Sequence, residues 1–170
     1  MENTSGKGWF LGAFILFALF PIACFSSCGS DLIVFASKSG KWHQVDGDSP
    51  LRSGDRLRIE LQTTNACYMA FFWKDARNQV FNLTPKSINL GDSQQTVPYH
   101  RYALPGNGRV YTLDHSTGNE ILVLAASDVP IANLNALGRL ISRSEFATSS
   151  GMIRIDRYDL RWMVLRHREG

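Results

Sequence analysis

The stretch from Asp55 to Leu83, DRLRIELQTTNACYMAFFWKDARNQVFNL, reads as three strands and two turns. Leu57, Ile59 and Leu61 alternate with Arg58 and Glu60, the period-two signature of a strand with one dry and one wet face. Thr63-Thr64-Asn65 turns the chain, and Cys67–Trp73 follows as an almost unbroken apolar run. Such a run suits a central strand covered on both faces. Lys74 to Asn78 is a polar turn in which Asn78 tolerates positive φ, and Gln79–Leu83 returns.

Outward from this stretch, strand-like runs recur every 8–15 residues, and no helix pattern intervenes before position 130. Asp31–Ser37 and Lys41–Val45 flank a Ser39-Gly40 turn, and Trp42 in the second of them is expected to be buried. Tyr99–Leu104, Arg109–Leu113 and the strongly apolar Glu120–Ser127 follow, with Ser87–Leu90 and Gln94–Val97 as short extended pieces. A helix from Ile131 to about Ala147, with Pro130 in its first turn, carries Ile131, Leu134, Leu137, Leu140 and Ile141 on one face. Met152–Ile155 and Tyr158–Leu165 read as one bent strand or two pieces, and Arg166 to Gly170 as a solvated tail. The pattern predicts a mainly β protein: an antiparallel β-sandwich, Ig-like or an open barrel, with one C-terminal amphipathic helix and a final strand.

The first thirty residues carry a different signal. Trp9–Phe20 is an uninterrupted apolar run after a start whose basic side chain is Lys7, and small residues close it. This is the plan of a secretory signal peptide, and the run is short for a membrane-spanning helix, which needs about 20 apolar residues. The exit resembles a bacterial lipoprotein box. Cys28, after Phe25-Ser26-Ser27, is the preferred lipidation site and Cys24 the alternative. The expected organisation is a leader over 1–27, a tether with the first strands over 28–50, and a sandwich domain over 51–170. With Cys28 acylated, Cys67 would stand alone, and its apolar strand makes it a packing residue.

Residues Leu51 to about Pro130 resemble the domain of unknown function DUF4384 family. The resemblance rests on Ser53-Gly54-Asp55-Arg56-Leu57, on the aromatic strand around Tyr68 to Phe72, on Val80 to Pro85, on Pro105, and on Gly118 to Ala125 before Pro130. It implies a β-sandwich-like module on exported bacterial proteins or beside signalling and protease-like domains. It implies no catalytic residues.

The formal net charge of +3 over 170 residues is too small to call for nucleic acid. No HExxH, CxxC, GxGxxG or P-loop pattern is present. His43, His100, His115 and His167 lie in four separate segments, and Asp46-Gly47-Asp48 lacks the remaining ligands of a calcium loop. The reading is therefore no enzyme, no cofactor and no metal. Binding, if by surface aromatics and arginine, would fall to Trp42, Tyr99, Arg101, Tyr102 and Trp162.

The expected role is a lipid-anchored module facing the periplasm, at the outer membrane of a bacterial cell envelope, with a protein partner in that envelope. The alternative is a small-ligand or glycan binder. A hydrolase ranks third, and would need His100 or His115 within hydrogen-bond reach of both a carboxylate and a serine or Cys67.

Overall fold

The structure, a computed structural model, describes residues 28–47, 49–84, 96 and 99–169. Eleven strands and one helix are assigned among them. In chain order they are β1 (Ser30–Lys38), β2 (Lys41–Val45), β3 (Pro50–Arg52), β4 (Arg56–Thr63), β5 (Tyr68–Lys74) and β6 (Val80–Asn82). Then come β7 (Arg101–Leu104), β8 (Tyr111–Thr112), β9 (Gly118–Ser127), α1 (Leu134–Arg143), β10 (Ser150–Ile155) and β11 (Tyr158–Arg168).

The strands form two sheets. One has the order β2-β1-β4-β7, with β8 also on β4; the other has the order β10-β11-β9-β5-β6, with β3 also on β11. Every pairing is antiparallel except β3 with the end of β11. This is the mainly β, two-sheet architecture that the strand spacing predicts, closed by one helix and a final strand.

Alternation explains how the layers stack. Along β5, Met69 and Phe71 enter the core between the sheets, whereas Ala70 and Phe72 face the other way. Along β9, Leu122, Leu124 and Ala126 point inward while Val123 and Ala125 point out. The outward set is covered by α1 through Leu137 and Ile141. A third layer is thus what makes β5 and β9 continuously apolar. Each such Leu or Phe contributes about 1.5–3 kcal/mol of burial.

The helix is shorter than its apolar pattern, beginning at Leu134 instead of Ile131. Asn133 accepts a 2.8 Å bond from the Ala136 amide and caps it, so Pro130 lies outside the first turn. At the other end Lys74, buried on β5, donates to the carbonyls of Ser142 and Ser144 at 3.1 and 3.0 Å. That places a cation where the helix dipole is negative.

Several expectations give way. Gly29-Ser30-Asp31 is not a tether. Ser30 is buried and pairs with Thr63, and the Gly29 carbonyl accepts from the Thr64 amide at 2.8 Å. β1 lies between β2 and β4, so the sandwich starts at its N-terminal strand and not at residue 51. Cys67 is not a lone packing residue either. It forms a disulfide with Cys28, with Cα atoms 6.1 Å apart, and the bond joins the start of β1 in one sheet to the start of β5 in the other.

The solvated tail is also overturned at one position. β11 continues to Arg168, and His167 is buried because period two returns it to the inner face after Leu165. Ser87–Leu90 and most of Gln94–Val97 lie outside the described residues.

Candidate functional site

At the end of the sandwich opposite the disulfide, three elements meet on one imidazole. Ser53 stands in the turn between β3 and β4. Gly54 takes φ +87 there, a conformation open to glycine, and the Asp55 carboxylate accepts from the Arg52 amide at 2.9 Å. The turn is pinned to the segment after β8 by Gly54 N–H to the Leu113 carbonyl and Leu113 N–H to the Asp55 carbonyl, at 2.9 and 3.0 Å. Ser53 Oγ then lies 3.1 Å from His167 Nε2 on β11, and His167 Nδ1 lies 3.0 Å from Glu120 Oε1 on β9. The His167 side chain is 0% exposed and that of Glu120 6%.

Burial raises the pKa of Glu120, an effect opposed by hydrogen bonds from His167 and from Trp73 and by the charge of His167. Asp114 stands beside this pair. Its carboxylate, His167 and Glu120 each present a ligand-type atom, all within 4.8 Å of one another. Asp114 closes an Asx turn, with Oδ1 accepting from the Ser116 amide at 2.7 Å and Oδ2 from the Ser116 hydroxyl at 3.2 Å. The amide bond is the main cause of its lowered pKa.

Asp114 and Glu120 line a cleft of about 270 Å³ between the sheet ends, with Trp73, Phe81 and Tyr111 as its aromatic walls. The Trp73 and Tyr111 rings meet edge to face with centroids 5.9 Å apart, one from each sheet. Burial raises the Tyr111 pKa. Gly118 lets this corner close, since a Cβ there would come within 2.7 Å of the Ala76 methyl.

Hydroxyl, imidazole and carboxylate stand in the order of a nucleophilic triad. The cleft wall, however, includes Glu120 and Asp114 but neither Ser53 nor His167. As drawn, the chain ties the β3–β4 turn to β9 and β11. Of the histidines proposed for a hydrolase, His100 meets Tyr102 edge to face with ring centroids 4.6 Å apart, and His115, next to Asp114, is exposed.

The aromatic set chosen from the sequence is dispersed. Trp42, expected inside, is 40% exposed on the edge strand β2, its ring 5.5 Å from the Arg58 guanidinium. Tyr99 is 72% exposed; Arg101 and Tyr102 lie on β7, at the other edge of that sheet. Arg101 is held by Glu60 at 3.5 Å and Gln62 at 3.2 Å. Trp162 is on β11 in the second sheet, against Phe146 at 5.3 Å. Tyr99, Arg101 and Tyr102 are neighbours in the chain, but Arg101 is turned to Glu60 and Gln62 while Tyr102 packs against the core between the sheets; Trp42 and Trp162 lie apart from them. The disulfide also bears on Cys28 as the lipidation site, because its sulfur is already bonded to Cys67.

None of Ser53, Asp114, Glu120 or His167 was singled out as a site residue from the sequence. The usable signal was phase: Glu120 shares parity with Leu122 and Leu124, and His167 with Leu165.

The fold and cleft define a two-sheet sandwich domain with a closed polar cluster at one end. Residues 50–130 match the family model of the domain of unknown function DUF4384. The matched segment runs from β3 to β9 and so holds Ser53, Asp114 and Glu120, whereas His167 comes from outside it. No curated protein and no solved structure matches the chain.

Proposed function

We propose that this protein is an exported, lipid-anchored β-sandwich of the bacterial cell envelope that works as a protein-binding accessory module. The observation carrying the reading is the Cys28–Cys67 disulfide, buried at 5% and 1% exposure. Disulfides persist in oxidising compartments such as the periplasm, which fits the leader.

The bond also favours Cys24 over Cys28 as the lipidated residue. A thioether at Cys28 and a disulfide at Cys28 need the same sulfur, and Gly29 alone separates Cys28 from the first strand. Acylation at Cys24 keeps the disulfide and leaves Phe25-Ser26-Ser27 between lipid and fold. The contact surface is β10. Among the described residues this edge strand pairs with β11 alone, yet it exposes Met152 by 60% and Ile153 by 47%. Edges are ordinarily protected by charge, proline or cover; this one borders a groove of about 240 Å³ with Phe146 and Trp162 in its wall. Its occupant is an extended segment of an envelope protein that adds as a further strand, with apolar side chains at alternate positions.

The test is a crosslink and pulldown from detergent-solubilised envelope with wild type and Ile153→Lys. A stoichiometric partner that Ile153→Lys loses supports the reading; a clean monomer in both removes it. Mass spectrometry of the mature N-terminus, with Cys24→Ala and Cys28→Ala variants, decides the lipid site. A second reading, a small-ligand or glycan binder, is favoured by the cleft that sets Trp73 and Tyr111 beside Asp114 and Glu120.

A further inference from the structure

Glu120 and His167 bury a carboxylate against an imidazole, and Asp114 brings a second carboxylate to the same point from an exposed turn. We propose that Asp114, Glu120 and His167 bind one divalent cation of the zinc class, with a coordination position open to the cleft.

The donor set is the first reason. One imidazole nitrogen with two carboxylate oxygens suits zinc and its neighbours, whereas calcium and magnesium take oxygen donors. Spacing is the second. Zinc holds nitrogen and oxygen at about 2.0–2.2 Å, which at the tetrahedral angle separates two ligand atoms by roughly 3.3 Å. His167 Nδ1 and Glu120 Oε1 are already 3.0 Å apart. The third ligand need only close in from within 4.8 Å. Asp114 is free to do so, because its Asx bonds use two of a carboxylate's roughly four lone-pair positions.

The outer partner suits the exchange of a proton for a metal. Ser53 Oγ faces Nε2, and a hydroxyl can donate or accept, so it accommodates the tautomer in which Nε2 carries the proton and Nδ1 ligates. That hydroxyl holds the ring in orientation, the part outer-shell partners play at metal histidines. Since Asp114 and Glu120 also line the cleft, water or an anionic ligand group can take the remaining position.

The experiment titrates chelator-treated full chain with Zn²⁺, Co²⁺ and Mg²⁺ by calorimetry, with visible absorption for Co²⁺. Expected are one equivalent of Zn²⁺, a tetrahedral-type Co²⁺ spectrum and no heat from Mg²⁺. Asp114→Asn, which keeps an oxygen to accept from the Ser116 amide on its exposed turn, weakens binding at least tenfold. Ser53→Ala weakens it by about 10–100-fold through the ring alone. His115→Ala, at the exposed neighbour, leaves affinity unchanged. Absence of a one-equivalent Zn²⁺ site, affinity undiminished by Asp114→Asn, or loss with His115→Ala would each overturn the assignment.

Discussion

His167 is held by both ring nitrogens, and each partner belongs to a different element, so a change at either end is felt as loss of tertiary anchoring. Ser53→Ala removes one hydrogen bond to a fully buried ring. It should lower stability by about 1–3 kcal/mol in chelator, the range for a buried polar atom left unpaired, as read from urea unfolding. Glu120 gives the site a pH signature. Its folded pKa lies above the ordinary 4.5, so the folded state holds the proton at a pH where the unfolded chain has lost it. Its contribution is present below pH 4.5 and fades as pH rises through the folded pKa. Asp114 acts in the opposite sense: its stabilisation is present above 3.8 and is lost as pH falls through its lowered folded value. Urea melts of Glu120→Gln across pH 4 to 8 should therefore show a flatter decline on the rising-pH side than wild type. An unchanged slope would mean that another group sets it.

At the scale of elements, β10 depends on one residue without a side chain. Gly151 faces Trp162 across the hairpin, and any Cβ at that position would collide with the indole ring. Gly151→Ala should cost about 1–3 kcal/mol as an overpacking change, visible as a lower Tm and as a shift of the Trp162 fluorescence. Ile153→Lys, by contrast, adds a charge at a position already 47% exposed and should leave Tm within about 0.5 kcal/mol equivalent of wild type. Leu137→Ala in α1 should cost about 2–5 kcal/mol, because that side chain is buried in the cluster that includes Phe72 and Val123. These elements differ in how plainly the sequence announces them. Leu57, Ile59 and Leu61 declare β4 by period alone, and the unbroken apolar runs of β5 and β9 announce a layer on each face. The helix face is legible too, but its start is not, since Asn133 caps more effectively than Pro130 opens.

For the whole molecule, the cleft cluster was hidden by distance. Ser53 and His167 are 114 residues apart and Glu120 and His167 are 47, so no local pattern links them. Ser53 reads as turn chemistry and His167 as one member of a charged end. The disulfide was hidden differently: assigning Cys28 to a lipid left Cys67 without a partner. It closes a span of 39 residues, for which loop-closure entropy gives about 4 kcal/mol. Cys67→Ser should lose a large part of that and change the migration of unreduced protein on denaturing gels. An unreduced wild type carrying two alkylatable thiols at 28 and 67 would remove the export argument with it.

The position of that bond has a mechanical consequence. Tension applied at the N-terminus reaches Cys28 and divides there, passing by peptide bonds into β1 and by sulfur into β5, so both sheets are loaded together instead of one being peeled from the other. Under pulling, the segment between the two cysteines is withheld from extension. With 39 residues at about 3.3–3.6 Å each, the oxidised protein should unravel roughly 130 Å short of its reduced form in single-molecule stretching.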